Sequence, residues 1–267
     1  MANTIDYVFL HGGTQAGWVW SDTVAALHQQ SDGLVRAIAL DIPGCGAKRG
    51  RDTANLGVDD IAAELLADVL ATEMKDIVLV GHSQAGTILP RLVEERPDLF
   101  RRLVYVSCIA PLPGESVRQR PWAAPSPALE RSGRRGGNES AADAPFDDKT
   151  VDIRDLLRPM FCNDMNEAES ATFLAKLGQD SWPAQSVTVS DWRYDHLGRV
   201  PSSYVVCLKD AVLPVNWQET FASRLKVERL VRVDAGHQVM NTRPHALAEI
   251  IRYEAATDSR PSAASIN

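Results

Sequence analysis

The chain has 267 residues, 45% of them hydrophobic and 24% charged, with a formal net charge of −7. That length allows one large core, and strand-like runs recurring from end to end favour a single domain over two small ones. The acidic balance argues against a nucleic-acid partner, which needs a positive face, and no apolar run approaches the roughly 18 residues of a membrane span. Met1 to Asp6 holds no basic region leading into an apolar stretch, so a soluble cytoplasmic protein is expected. Four cysteines, Cys45, Cys108, Cys162 and Cys207, show no C-x-x-C pair and no nearby histidine cluster of metal-ligand spacing. They read as reduced packing or loop residues, and no metal is expected.

In chain order, strand-like runs fall at Tyr7 to Leu10, Leu34 to Leu40, Ile77 to Val80, Leu103 to Val106, Tyr204 to Leu208 and Leu230 to Val233. They are rich in Val, Ile and Leu without clean alternation, as in strands covered on both faces. Helical patterns alternate with them: Trp18 to Gln29, Val58 to Ala71, Thr87 to Glu95, Trp217 to Leu225 and Pro244 to Tyr253. Strand and helix in turn predict an α/β fold on a parallel sheet. Pro90 falls inside the third helix, where it should remove one backbone hydrogen bond and bend the helix.

The rhythm breaks between about Pro111 and Pro201. Five prolines from Pro111 to Pro127 and a polar, glycine-rich run from Arg131 to Asn138 precede two helix-like pieces, Ile153 to Met160 and Glu167 to Leu177. The reading is a core of 1–110 and 201–256, an inserted lid of 111–200 over the carboxyl ends of the strands, and a disordered tail of 257–267. Arg118, Arg120, Arg131, Arg134 and Arg135 read as a solvated loop in preference to a contact for an acidic substrate.

The chemistry is concentrated at Gly81-His82-Ser83-Gln84-Ala85-Gly86, between an apolar strand and a helix. A serine on such a turn stands clear of the sheet, and the run is a near match to G-x-S-x-G with Ala85 in place of the second glycine. A serine hydroxyl needs a base to take its proton and a carboxylate to hold that base. Asp210 and His237 each follow a predicted strand, at the rim where loops of an open α/β sheet converge, and the order serine, acid, histidine fits. Asp234 is too local to His237 to orient it, Asp41 more naturally supports its own loop, and His82 reads as a packing residue. Two donors must meet the oxyanion of an acyl-transfer intermediate: the N–H of Gln84, next after the nucleophile, and one from His11-Gly12-Gly13-Thr14, assigned to Gly13.

His11-Gly12-Gly13 with Gly17-Trp18-Val19-Trp20, Gly81-His82-Ser83, Val104-Tyr105-Val106-Ser107 leading to Pro113-Gly114-Glu115-Ser116-Val117, Lys209-Asp210 and Gly236-His237 together resemble one α/β-hydrolase subgroup. It includes plant methyl-ester esterases, of the salicylate and jasmonate type, and the α-hydroxynitrile lyases. The resemblance spans most of Tyr7 to Tyr253 and is weakest from Arg118 to Asp148. It implies a mostly parallel sheet with helices on both faces and an inserted helical cap, no cofactor, a Ser83, Asp210, His237 triad, and oxyanion donors on the backbone of Gly13 and Gln84. Lyases of the subgroup carry threonine after the first-strand histidine and lysine after the catalytic one. Here those positions are Gly12 and Gln238, which favours hydrolysis, since a neutral side chain gives departing cyanide no cationic partner.

The expectation is a carboxylic-ester hydrolase acting on a small, largely apolar ester through an acyl-enzyme. Trp18, Trp20, Trp122 and Trp182, with Met160, Phe161 and Phe173 from the insertion, are candidates to line the acyl pocket beside Gly12 and Gln238, with core packing the favoured role for most of the large side chains. Thioester, lactone or amide hydrolysis, a lyase step, and a non-hydrolytic ligand-binding or cyclase-like protein on the same fold stay open. Expected partners are a small-molecule ester, with no nucleic acid and no membrane; a homodimer is compatible with the sequence.

Overall fold

The computed structural model describes residues 4–119 and 153–257. Trp122, Arg120, the glycine-rich run with Arg131, Arg134 and Arg135, and the tail from 258 onward lie outside the described residues.

Six strands, β1 (Ile5–Leu10), β2 (Val35–Leu40), β3 (Ile77–His82), β4 (Phe100–Val106), β5 (Ser202–Cys207) and β6 (Arg229–Val233), form one sheet in the order β2-β1-β3-β4-β5-β6. Every neighbouring pair is parallel. The four central strands are almost wholly buried, which explains why apolar residues fall on both of their faces without alternation. The edge strands β2 and β6 alternate between covered and open positions instead.

The pleat divides those central strands between two cores. Val8, Leu10, Ile77, Leu79, Leu103, Tyr105, Tyr204 and Val206 face one side, and Tyr7, Phe9, Val78, Val80, Val104, Val106, Val205 and Cys207 the other. The helices are α1 (Ser21–Gln30), α2 (Val58–Ala71), α3 (Leu89–Glu95), α4 (Ile153–Phe161), α5 (Glu167–Lys176), α6 (Val215–Arg224), α7 (Val239–Thr242) and α8 (Pro244–Ala256). Helices α2, α3 and α6 cover the first face, through residues such as Leu65, Leu92 and Phe221, while α1, α7 and α8 cover the second through Leu27, Met240 and Ile251. All four cysteines are free and buried. No described helix is long and apolar enough to cross a membrane.

Two of the expected helices begin differently. The stretch from Gly17 to Trp20 is a 3₁₀ turn leading into α1, and Ser83–Thr87 is a 3₁₀ turn leading into α3. Pro90 therefore sits in the first turn of α3 and neither breaks a hydrogen bond nor bends the helix. The N–H groups of a first turn have no intrahelical acceptor, so proline costs nothing there.

The insertion between β4 and β5 contains α4 and α5, whose bounds match the expected helix-like pieces to within one residue. It has a small apolar cluster of its own, Cys162, Phe173 and Leu174, against which Trp18 and Phe161 pack. From there it reaches the loops after four strands. Gly178 N–H donates to Thr14 O after β1, and Gly46 N–H after β2 donates to Asp180. Asn163 donates to Lys209 O after β5, and Asp164 accepts from Gly236 N–H after β6.

Candidate active site

Ser83 follows β3 directly with a backbone φ of 52°, a left-handed conformation that costs a non-glycine residue of order 1 to 3 kcal/mol and that the surrounding packing must impose. Gly81 and Gly86 permit that packing. A Cβ on Gly86 would lie 2.2 Å from Ile109 O, so the turn can reach the chain leaving β4 only without a side chain. Ala85 is tolerated in place of glycine because its methyl fits against the bare Cα of Gly81, where a Cβ would lie 3.2 Å away.

The three residues expected to act together meet in space. Ser83 Oγ is 3.1 Å from His237 Nε2, and His237 Nδ1 is 2.7 Å from Asp210 Oδ2. A carboxylate can only accept, so Nδ1 carries the proton and Nε2 turns a lone pair toward the serine hydroxyl. His237 is buried, 1% exposed, and the Asp210 side chain is sealed from solvent. The carboxylate is well satisfied: Oδ1 accepts the N–H groups of Val212 at 2.8 Å and Leu213 at 2.7 Å, and Oδ2 accepts a hydroxyl as well as the imidazole.

That hydroxyl belongs to Ser107, whose Oγ donates to Asp210 Oδ2 at 2.5 Å and lies 3.4 Å from His237 Nδ1. No role was expected for it. The available signal was its position as a polar residue just past β4, on the same rim as Ser83, Asp210 and His237. Its φ of 43° makes it the second strained serine of the site. Asp234 instead pairs with Lys209 on the surface, and Asp41 holds its own loop by accepting the N–H groups of Gly17 and Ala47.

The loop after β1 closes over Ser83. A Cβ on Gly12 would lie 3.0 Å from Ser83 Cβ, and one on Gly13 would lie 2.4 Å from Gln84 Oε1, so the two segments expected to supply oxyanion donors abut. Gly12 O accepts from Trp182 Nε1 at 3.0 Å and from His11 Nδ1 at 2.8 Å. A trans peptide points its carbonyl and its N–H in opposite directions, so pinning Gly12 O also sets the direction of Gly13 N–H. His11 is an uncharged link in this arrangement, because its Nε2 accepts the N–H of Ile42. Burial drives its pKa down to about 4, against the partial opposition of the Gly12 carbonyl and the charges of Asp41 and Asp180.

His82 is buried behind Ser83, donates from Nε2 to His237 O at 3.0 Å, and has its pKa held well below the usual histidine range, chiefly by burial. Its ring packs against that of His237 with centroids 4.5 Å apart.

The expected lining residues divide. Phe161 meets the His237 ring edge-on at 5.7 Å and stacks on Phe173, which in turn meets Trp18 at 5.7 Å. Trp182 is the buried donor to Gly12, and Met160 is half-buried at the end of α4. Trp20 does not line the site: it is fully buried in the second core, 5.0 Å from Phe9. Gln238 is fully enclosed and carries no charge beside His237. Among the described residues no group of three or more His, Cys, Asp or Glu side chains is disposed to hold a metal ion.

The model of the α/β-hydrolase family matches residues 7–250 of the chain. The chloroplastic methylesterase 11, so named, of Arabidopsis thaliana is 26% identical over 93% of this chain, which spans 63% of that protein's length. The polyneuridine aldehyde esterase of Rauvolfia serpentina is 24% identical over 92% of this chain and 93% of its own. An extracellular α/β-hydrolase from a Paenibacillus species superposes with a TM-score of 0.73 at 21% identity, over 95% of this chain and 100% of that one. The rim-mounted serine, the parallel sheet and the match over 7–250 lead to one conclusion: this chain belongs to the α/β-hydrolase family.

Proposed function

We propose that the protein is a serine-dependent hydrolase of small, largely apolar carboxylic esters. The observation that carries this reading is the unbroken series from Ser83 Oγ through His237 to Asp210, at 3.1 and 2.7 Å. In acylation Ser83 Oγ attacks the ester carbonyl while His237 Nε2 takes its proton. The imidazolium so formed is stabilised by Asp210, and the tetrahedral oxyanion by the N–H groups of Gly13 and Gln84. His237 then returns the proton to the departing alcohol. Water repeats the sequence on the acyl-enzyme and frees the acid.

Support for an ester comes from the relatives, named as methylesterase 11 and polyneuridine aldehyde esterase. Support for an apolar substrate comes from the aromatic run Phe161, Phe173 and Trp18 beside His237. The insertion then acts as the cap over the site. A neutral, enclosed Gln238 gives a leaving cyanide no cation, so hydrolysis is preferred to lyase chemistry on the same residues.

The test uses the full chain with p-nitrophenyl acetate and a fluorophosphonate probe. A burst of nitrophenol and a covalent adduct on Ser83, both lost in a folded Ser83→Ala variant, are expected. No burst and no adduct from well-folded protein would overturn the acyl-enzyme mechanism.

A further inference from the structure

The turn between α4 and α5 touches both loops that present the relay. Asn163 Nδ2 donates to Lys209 O at 2.7 Å, one residue before Asp210. Asp164 Oδ2 accepts Gly236 N–H at 2.7 Å, one residue before His237, and also accepts the Thr242 hydroxyl at 3.0 Å in the helix that follows. Phe161, two residues upstream of Asn163, meets the His237 ring itself. The fit at Gly236 is close: a Cβ there would lie 2.5 Å from both Asn163 Oδ1 and Asp164 Oδ1, so this position must be bare for the strut to seat.

The turn is built to hold its shape. Cys162 N–H donates to Arg158 O at the end of α4, Met165 N–H donates to Cys162 O, and Cys162 is buried in the insertion's own apolar cluster. Asn166 then caps α5, its side chain accepting Glu169 N–H while Glu169 accepts Asn166 N–H. The two loops are also joined to each other, since Lys209 N–H donates to Ala235 O.

We propose that Asn163 and Asp164 are positioning residues through which the insertion sets the distance between His237 and Asp210. This rests on the hydrolase reading for its effect on turnover, though not for its effect on geometry. A rigid turn bonded to the residue before each member of the pair fixes where both side chains start. Displacements near 1 Å in such a pair can cost about 100-fold in rate. An ordinary surface tether would hold the insertion on the core without touching these two loops, as the exposed bond from Gln185 Nε2 to Ala54 O at 2.8 Å does.

The experiment compares Asp164→Ala, Asp164→Asn and Asn163→Ala with Glu167→Gln as control, all in the full chain. Readouts are kcat and KM on a p-nitrophenyl ester, the rate of fluorophosphonate labelling, and the downfield proton resonance of His237 Nδ1–H. Asp164→Ala should lower kcat and labelling by about 10- to 100-fold with KM changed less than about 3-fold, and should shift or broaden the resonance. Asp164→Asn retains an oxygen to accept Gly236 N–H and should restore both, while Glu167→Gln should leave both unchanged. If Asp164→Ala fails to fold, Asn163→Ala, altered at an exposed side chain, decides by the same readouts. A folded Asp164→Ala with unchanged kcat and unchanged resonance overturns the proposal, and so does an asparagine variant that fails to rescue. A wild-type chain that shows the resonance yet never labels overturns the hydrolase reading alone.

Discussion

Replacing Ser107 by alanine isolates one hydrogen bond on Asp210, the acid of the proposed triad. Ser107 Oγ donates at 2.5 Å to Asp210 Oδ2, the oxygen that also receives His237 Nδ1–H, while Oδ1 keeps the N–H groups of Val212 and Leu213. A bond from a hydroxyl to a carboxylate contributes about 1.5 to 3 kcal/mol, and the three remaining donors keep the loss near the lower end. Since about 1.4 kcal/mol is tenfold in rate, kcat/KM should fall roughly tenfold if the bond matters as the imidazolium forms. Alanine keeps the unfavourable φ of 43°, whereas glycine relieves it. Ser107→Ala and Ser107→Gly should therefore lose the same factor in kcat/KM on a p-nitrophenyl ester, while their melting temperatures differ with glycine the higher. A kcat/KM within twofold of wild type in both variants, with only the melting temperature moved, refutes the reasoning and makes Ser107 a packing residue.

Trp182→Phe keeps the ring and removes the N–H that pins Gly12 O, so kcat should drop by about tenfold with KM nearly constant; a raised KM at unchanged kcat would instead make Trp182 a wall of the pocket. Gly86→Val drives a side chain into Ile109 O and should destabilise the fold by about 3 kcal/mol or more in urea unfolding, whereas Gly198→Ala, with open space at its Cβ, should be neutral. The buried histidines set the response to acid. His11, with its pKa lowered to about 4, and His82, also lowered, refuse the protons that the unfolded chain accepts below about pH 6.5. Their full stability is present above that value and is lost as pH falls, by about 2 kcal/mol at pH 5 from His11 alone. Urea midpoints measured from pH 7 to 5 should fall accordingly and flatten in His11→Asn; a flat wild-type profile contradicts the argument.

Strand and helix alternation, the parallel sheet, and the stations of Ser83, Asp210 and His237 past strand ends were all legible in the sequence. The reason is that each depends on local pattern: apolar runs covered on two faces, turn residues, and loops converging at one rim. Pro90 was misjudged because the helix start depends on the 3₁₀ turn that the strained Ser83 opens, which periodicity does not report. Trp20 stood open between pocket and core, because an aromatic residue in a loop-to-helix turn has the same local signature in either place, and only the structure puts it in the core. Ser107, the pinning of Gly12 O by Trp182, and the Asn163–Asp164 strut were decided only by tertiary structure. Each is a single hydrogen bond or pair of bonds between segments about 100 or more residues apart, or across an insertion boundary. Such bonds leave no periodic trace, because one polar side chain at the right place needs no repeat to find its partner.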